Sequence, residues 1–361
     1  MDKNLTSIIN GIAAAPPLGD TDDWFELLPK KVPLKERSEL AIKLEKIRKK
    51  QDACFYNNKG RLQRLRQEMK RQKIDGLIIP KVDEHQGEYI AKHSERLFWL
   101  SGFSGSAGQA IVLAKKAALF VDGRYVLQVK KEVRSNEYDC INGNIESVSS
   151  WLSKNIKPNS KLSFDPWLHS ENQIHLLQNM CKAFRIKLIA SRKNLIDKIW
   201  LDQPPPPISP IRTHSLVFAG ETSKSKRQKV SKHLIKHACT AQILTSPDSI
   251  AWLLNIRGND IPFTPFVLSF AIVHKNGSVD WFVDEKKFPL RTKRSLSKGI
   301  KVHDPNEFMP VLKNLAKKKS TLLCDSNLTP QIIFEKLQDF GIQIIRGADP
   351  CQSLKSKKNN L

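Results

Sequence analysis

The sequence has no CxxC pair. Its six cysteines (Cys54, Cys140, Cys181, Cys239, Cys324 and Cys351) stand far apart, which argues against a zinc ribbon or a disulfide framework and for a reducing compartment. No uninterrupted apolar run approaches the roughly 20 residues that a membrane span needs. The opening MDKNLTSIINGIAAAPPLGDTDDW has an acid at position 2 and a short apolar run, unsuited to a signal peptide. A soluble, cytoplasmic protein with no membrane partner is therefore expected. HExxH is absent: His233 and His237 share a helix face at i, i+4 spacing, but Leu234 follows His233 where the motif needs Glu. The Gly102–Gly108 turn lacks the Lys-Ser/Thr of a phosphate loop, and Gly-x-Ser-x-Gly does not occur in register.

Acidic residues are scarce too. Thirty-six Asp and Glu face 60 Lys and Arg, leaving a net charge of +24. Clustered cations would follow a phosphate backbone, but these lysines are scattered, with no RNP-like aromatic stripe and no helix-turn-helix pattern. Nucleic acid is not the expected partner; a basic protein bound to nucleic acid or to a membrane surface stands as the rival from another class.

What is present is an α/β pattern written twice. At 361 residues and 40% apolar content, two domains are the natural reading. Residues 1–57 read as a partly flexible appendage holding a charged helix with a Leu40, Leu44 and Ile47 stripe. The first domain spans 58–190: a helix with Leu62, Leu65 and Met69 on one face, the strand GLIIP, the strands AIVLA and ALFVD joined at a Lys-Lys turn, and two helices through RYVLQVKKEV and ESVSSWLSKNI. The strand KLSFD follows. Ser170 and Gln173 then form a capping box that opens a helix with Ile174, Leu177 and Cys181 inward, and IKLIA closes the unit.

Residues 191–210 read as a linker, because four consecutive prolines continue neither a helix nor a central strand. The second domain, 211–350, repeats the order about 155 residues later. A Lys-rich helix over 225–238 precedes AQILT, and DSIAWLLNIRGND answers ERLFWLSGFSGSA, with Trp252-Leu253 matching Trp99-Leu100 and Gly258 matching Gly105. VLSFAIV and VDWFVD, joined by an HKNG turn, answer AIVLA and ALFVD; STLLCDSN, a helix opened by Thr329-Pro330, and IQII complete the set. Parallel strands joined by helices imply mixed sheets covered on both faces.

Three motifs carry a resemblance: His85-Gln-Gly-Glu88-Tyr89, Trp99-Leu-Ser-Gly-Phe-Ser-Gly-Ser-Ala-Gly108, and Val121-Asp-Gly-Arg-Tyr125. With SPDSIAWLLNIRGNDIP and VDWFVD in the second unit, they closely resemble the Xaa-Pro aminopeptidase (aminopeptidase P) family in its three-domain form. That resemblance implies two tandem creatinase/prolidase N-terminal-type domains, each a mixed sheet flanked by helices. It implies that Arg124, Glu88 and His85 lie on the substrate side, Arg124 as a forked donor and Glu88 as a receiver for an amino group. A structural Arg124–Glu88 pair is the competing reading. Phe263 stands where the family often carries His or Tyr, so no polar role is expected there.

In the family, a third domain holds two divalent ions, usually manganese, which activate the hydroxide that attacks the bond before proline. Here Asp349-Pro350 and Lys358-Asn359 match the junction to that domain, so residues 351–361 read as a truncated junction. The expectation is that this chain binds no metal, has no catalytic residue of its own, and is inactive alone. It would pair as a homodimer or with a separate catalytic chain, and meet peptide substrate only when that domain is supplied.

Overall fold

The computed structural model describes residues 60–289 and 296–357. The appendage helix with its Leu40, Leu44 and Ile47 stripe, Cys54, and Lys358-Asn359 lie outside the described residues. By its contacts the chain divides into two units, Met1–Leu62 and Gln63–Leu361, and both sheets lie in the second.

The helix Arg61–Arg71 leads into β1 (Gly76–Pro80), after which come the helix Arg96–Ser101, β2 (Gly108–Leu113), β3 (Ala117–Val121) and the helix Val126–Glu132. Then follow β4 (Asp139–Asn142), the helix Ile145–Asn155, β5 (Lys161–Phe164), the helix Glu171–Ala183, β6 (Lys187–Ala190) and the helix Leu195–Ile199. The second half runs β7 (Arg212–Thr213), the helices Leu216–Ala219 and Ser223–Lys236, β8 (Ala241–Leu244), the helix Pro247–Leu254, β9 (Ile256–Arg257), β10 (Phe270–His274), β11 (Val279–Phe282) and β12 (Ile300–His303). It ends with the helix Phe308–Lys317, β13 (Thr321–Cys324), the helix Gln331–Asp339, β14 (Gln343–Arg346) and the helix Pro350–Lys355.

Strand order makes the duplication explicit. One six-stranded sheet runs β4-β3-β2-β1-β5-β6 and the other β12-β11-β10-β8-β13-β14, position for position the same path. In each, the middle hairpins are antiparallel and the outer pairings parallel. β4 and β12 escape a reading by pattern because both are four-residue edge strands: DCIN does not alternate, and the alternation of IKVH is too short to stand out.

Each sheet is the middle of three layers, as alternation along the strands shows. Ile272 and Phe282 face Phe308, Leu312, Phe334 and Leu337 on one side. Ala271, Val273 and Trp281 face Val230, Leu234, Ile250 and Leu253 on the other. Trp281 is fully buried because its indole N–H finds Ser269 Oγ at 2.9 Å. In the first sheet Ile78, Ile111 and Phe120 meet Trp151, Leu152 and Ile174, and the Ser170–Gln173 capping box forms as the sequence implies.

Two stretches read as connections are partly structural. The proline run takes no helix or strand, but Leu195–Ile199 before it is a helix capped by Asn194, and Trp200 stacks on Trp99 at 5.4 Å. Cys351, at the start of the expected junction, is fully buried in the second core, and Asp349 accepts from Gln242 Nε2 at 2.9 Å and Ser249 Oγ at 2.6 Å.

The two sheets meet through corresponding turns of the repeat. DPWLHS (165–170) lies against DSNLTP (325–330): Ser170 bridges Pro330, Gln331 N donates to His169 O at 2.8 Å, and Ile332 N donates to Pro166 O at 3.0 Å. In the other direction Asn172 N donates to Ser326 O at 3.0 Å. Backbone bonds crossing both ways fix the two domains together without relying on side chains alone.

Candidate functional site

β3 ends at Val121, and Asp122 caps the turn Gly123–Tyr125 by accepting from Arg124 N at 2.9 Å. The same carboxylate oxygen accepts from Arg124 Nε at 2.9 Å. These bonds hold the Asp122 carboxyl below its ordinary range and raise the Arg124 guanidinium. The Arg124 side chain is 64% exposed, with its guanidinium carbon 5.3 Å from the Tyr125 ring centroid. The Arg124–Glu88 pair weighed from the sequence does not form; Asp122 takes the guanidinium instead.

Glu88 is reached by another route. Ser106 Oγ donates to Glu88 Oε1 at 2.8 Å and lies 2.7 Å from Tyr125 Oη. With its one hydroxyl proton given to Glu88, Ser106 accepts from Tyr125. Tyr125, Ser106 and Glu88 thus form a short chain of hydrogen bonds beside Arg124. Ser106, Tyr125 and Asp122 were missed as participants, although all three stand inside the recognised motifs; their signal is a position next to Arg124 or within the Gly/Ser turn.

That turn holds the ridge in place. Gly102, at φ +85°, ends the Arg96–Ser101 helix in the left-handed region that favours glycine. Gly105 serves another purpose: a Cβ there would stand 2.2 Å from Phe103 Cζ, so this glycine makes room for a buried ring. Gly258, its counterpart, is held close in the same way, a Cβ meeting Val267 Cγ2 at 2.6 Å. Ser104 is fastened by its N–H to Glu132 Oε2 at 2.8 Å and by its hydroxyl to Glu132 Oε1 at 2.6 Å.

His85 is elsewhere. Its ring is buried, 5% exposed, with Nδ1 2.9 Å from Thr245 O and the ring 4.7 Å from Phe270. The Thr245 carbonyl can only accept, so Nδ1 carries the proton. The loop is turned inward by Asp83, whose Oδ1 accepts from His85 N at 3.0 Å and Gly87 N at 3.3 Å, while burial pushes its carboxyl up. The structure therefore separates His85 from Glu88 and Arg124. It ties the first domain to the second. Phe263 is 78% exposed on a loop at φ +59°.

The ridge presents a carboxylate, a guanidinium and hydroxyl groups at the surface. Among the described residues neither Ser104 nor Ser106 meets an imidazole; their hydroxyls donate to Glu132 and Glu88. The His233 and His237 rings lie tilted with centroids 4.4 Å apart and meet no third ligand among the described residues. Among the described residues no group of three or more His, Cys, Asp and Glu is arranged to hold a metal ion, so they do not fit a pair of divalent ions. No described helix is long and apolar enough to cross a membrane.

Two family models, both described as the creatinase/prolidase N-terminal domain, match residues 61–198 and 202–361. Aminopeptidase P1 of Lotus japonicus is 35% identical over 64% of this chain and 35% of its own length. Aminopeptidase P2 of Arabidopsis thaliana is 35% identical over 72% of this chain and 37% of its own. Xaa-Pro aminopeptidase 2 of Rattus norvegicus is 30% identical over 84% and 46%. Among solved structures, the X-prolyl aminopeptidase of Caenorhabditis elegans superposes with a TM-score of 0.76 at 25% identity, covering 84% of this chain and 52% of that one. That protein is described as a cytosolic enzyme with a di-nuclear active site. The chain spans roughly a third to a half of the length of these relatives. Two creatinase/prolidase N-terminal domains in tandem, with these relatives, place the chain in the aminopeptidase P family.

Proposed function

We propose that these two domains are the substrate-side half of a cytosolic Xaa-Pro aminopeptidase, an enzyme that removes an N-terminal residue preceding proline. The observation that carries the reading is the exposed ridge on which Glu88 and Arg124 are each anchored from behind, Glu88 by Ser106 and Arg124 by Asp122. An anchored carboxylate suits a free peptide amino group, and an anchored guanidinium suits a carbonyl or carboxylate further along the peptide. A metal pair held by its own domain would supply the activated water, and the residues of these two domains would supply binding and orientation. His85 acts on this reading as a strut that sets the ridge against the second domain.

The metal-binding part would come from sequence outside the matched region, as a continuation of the chain or as a separate partner, and the 361 residues alone are expected to be inactive. The test is a manganese-supplemented assay on Arg-Pro-Pro. No turnover above a heat-killed control is expected for this chain, and activity is expected once the metal-binding domain of a relative is added. Turnover by the chain alone would sink the proposal.

A further inference from the structure

A cleft of about 470 Å³ in the second domain carries a charge pattern that the ridge leaves unexplained. Lys226, Lys229, Arg257, Lys355, Lys357 and His214 line it. Among the described residues of its wall Glu221 is the single carboxylate, and it is held by Lys229 Nζ at 2.8 Å and Ser225 Oγ at 2.5 Å. Lys355 pairs with Asp248. Arg257 gives Nη1 to the carbonyls of Ile256 at 2.8 Å and Ala251 at 3.2 Å, and meets no carboxylate among the described residues.

Lys226 is 3% exposed, an unusual position for an ammonium group. It donates to Trp252 O at 3.1 Å and Asn255 Oδ1 at 2.6 Å and lies 4.8 Å above the Trp252 ring, which leaves one N–H without a partner among the described residues. Burial first, then the positive charges of Arg257 and Lys229, lowers it to about 8. At the lip, Phe218 is 78% exposed, with His214 stacked on it at 6.1 Å and 29°.

We propose that this cleft binds a phosphate monoester carrying a flat ring, of about the size of a mononucleotide. Like charges gathered in a concavity repel one another, and a dianion relieves that repulsion at once. A phosphate fits better than a carboxylate, because donors approach from several directions and a guanidinium fork matches two phosphate oxygens. The volume lies within the usual range for small-ligand sites, and the Phe218–His214 lip offers a flat face for a ring.

Isothermal titration of the full chain at physiological salt, with adenosine 5′-monophosphate, inorganic phosphate and adenosine as separate probes, tests this. The monophosphate is expected to bind in the micromolar range, phosphate more weakly, and adenosine not at all. Lys229→Glu with Lys357→Glu, both at exposed positions, should weaken the monophosphate by about tenfold or more, since each cation contributes through charge. Lys154→Glu with Lys182→Glu on the first domain makes the same change in net charge and should leave binding unmoved. Equal weakening by both pairs, or no heat at about 5 mM monophosphate, overturns the proposal. So does phosphate binding as tightly as the monophosphate, or retention of single-stranded RNA alone with a steep salt slope, which would make the surface a polyanion track.

Discussion

Arg346 sets both arms of its guanidinium on Glu171 across the seam between the two sheets, Nε to Oε2 at 2.8 Å and Nη2 to Oε1 at 2.6 Å. Glu171 opens its helix next to the capping Ser170 and is buried, while Ser326 Oγ also donates to it at 2.8 Å. A carboxylate at a helix N-terminus meets the positive end of the dipole, and a forked partner fixes its direction. This pair fastens the same seam as the crossing backbone bonds of the 165–170 and 325–330 turns.

Arg346→Ala should therefore cost about 2 kcal/mol of unfolding free energy, the lower part of the range for charged hydrogen bonds because the arginine end is half exposed. Urea denaturation of Arg346→Ala, Glu171→Ala and the double variant gives the coupling directly. A coupling energy near zero would show that the backbone bonds hold the seam without the ion pair.

His169, on the same seam, predicts a pH dependence. Its Nδ1 lies 2.9 Å from Asp165 O, its Nε2 is buried without a partner among the described residues, and burial lowers the imidazole to about 4. The sign follows from proton counting. Between pH 4 and the unfolded value near 6.5, the unfolded chain binds a proton that the folded chain excludes, so stability falls as pH falls through that window. The loss contributed by His169 should reach about 2 kcal/mol at pH 5 relative to pH 7. His169→Asn keeps a donor for the Asp165 carbonyl but does not titrate. It should be less stable at pH 7 and show a flatter profile between pH 7 and 5; an unchanged slope would assign the effect to other groups.

The fold was legible in the sequence to the extent that it repeats. GLIIP, ALFVD, KLSFD and their counterparts are buried strands whose apolar runs announce themselves, and the Ser170–Gln173 box fixes a helix start to the residue. The edge strands β4 and β12 were not, because DCIN shows no apolar alternation and that of IKVH spans only four residues. The motifs named Glu88 and Arg124, which the structure leaves exposed, but not the side chains that hold them. Asp122 stands two positions before Arg124 and is a local signal, whereas nothing local says that Ser106 and Tyr125 would bridge to Glu88 over gaps of 18 and 37 positions. The burial of His85 was hidden too: it shares a motif with Glu88, yet Asp83 turns its backbone inward and the ring packs against Phe270.

Gly105 gives a prediction independent of binding. Because a Cβ would meet three atoms of the Phe103 ring at 2.2–2.9 Å, Gly105→Ala must displace a fully buried aromatic. The cost should be about 1–3 kcal/mol, the usual range for overpacking. Gly105→Ala combined with Phe103→Leu should lose less than the two single variants summed, since the smaller side chain vacates the clash. Additive losses in thermal denaturation would mean that the ring is not what excludes the methyl.

The ridge residues should separate binding from folding. Arg124 and Glu88 are exposed, so Arg124→Ala and Glu88→Gln are expected to leave the urea midpoint of the chain unmoved. In enzyme reconstituted with a metal-binding domain, the same variants should raise KM for Arg-Pro-Pro by roughly tenfold while kcat changes little, as uniform substrate binding requires. Arg124→Lys should restore little, because an ammonium lacks the fork that reaches Asp122 and a substrate oxygen together. Tyr125→Phe removes the hydroxyl beside Ser106 and should act more weakly than Glu88→Gln, since Ser106 can still donate to Glu88. If both ridge variants lower kcat and spare KM, the two side chains act on the transition state rather than on the ends of the bound peptide. If they change neither, the ridge lies outside the path of the substrate.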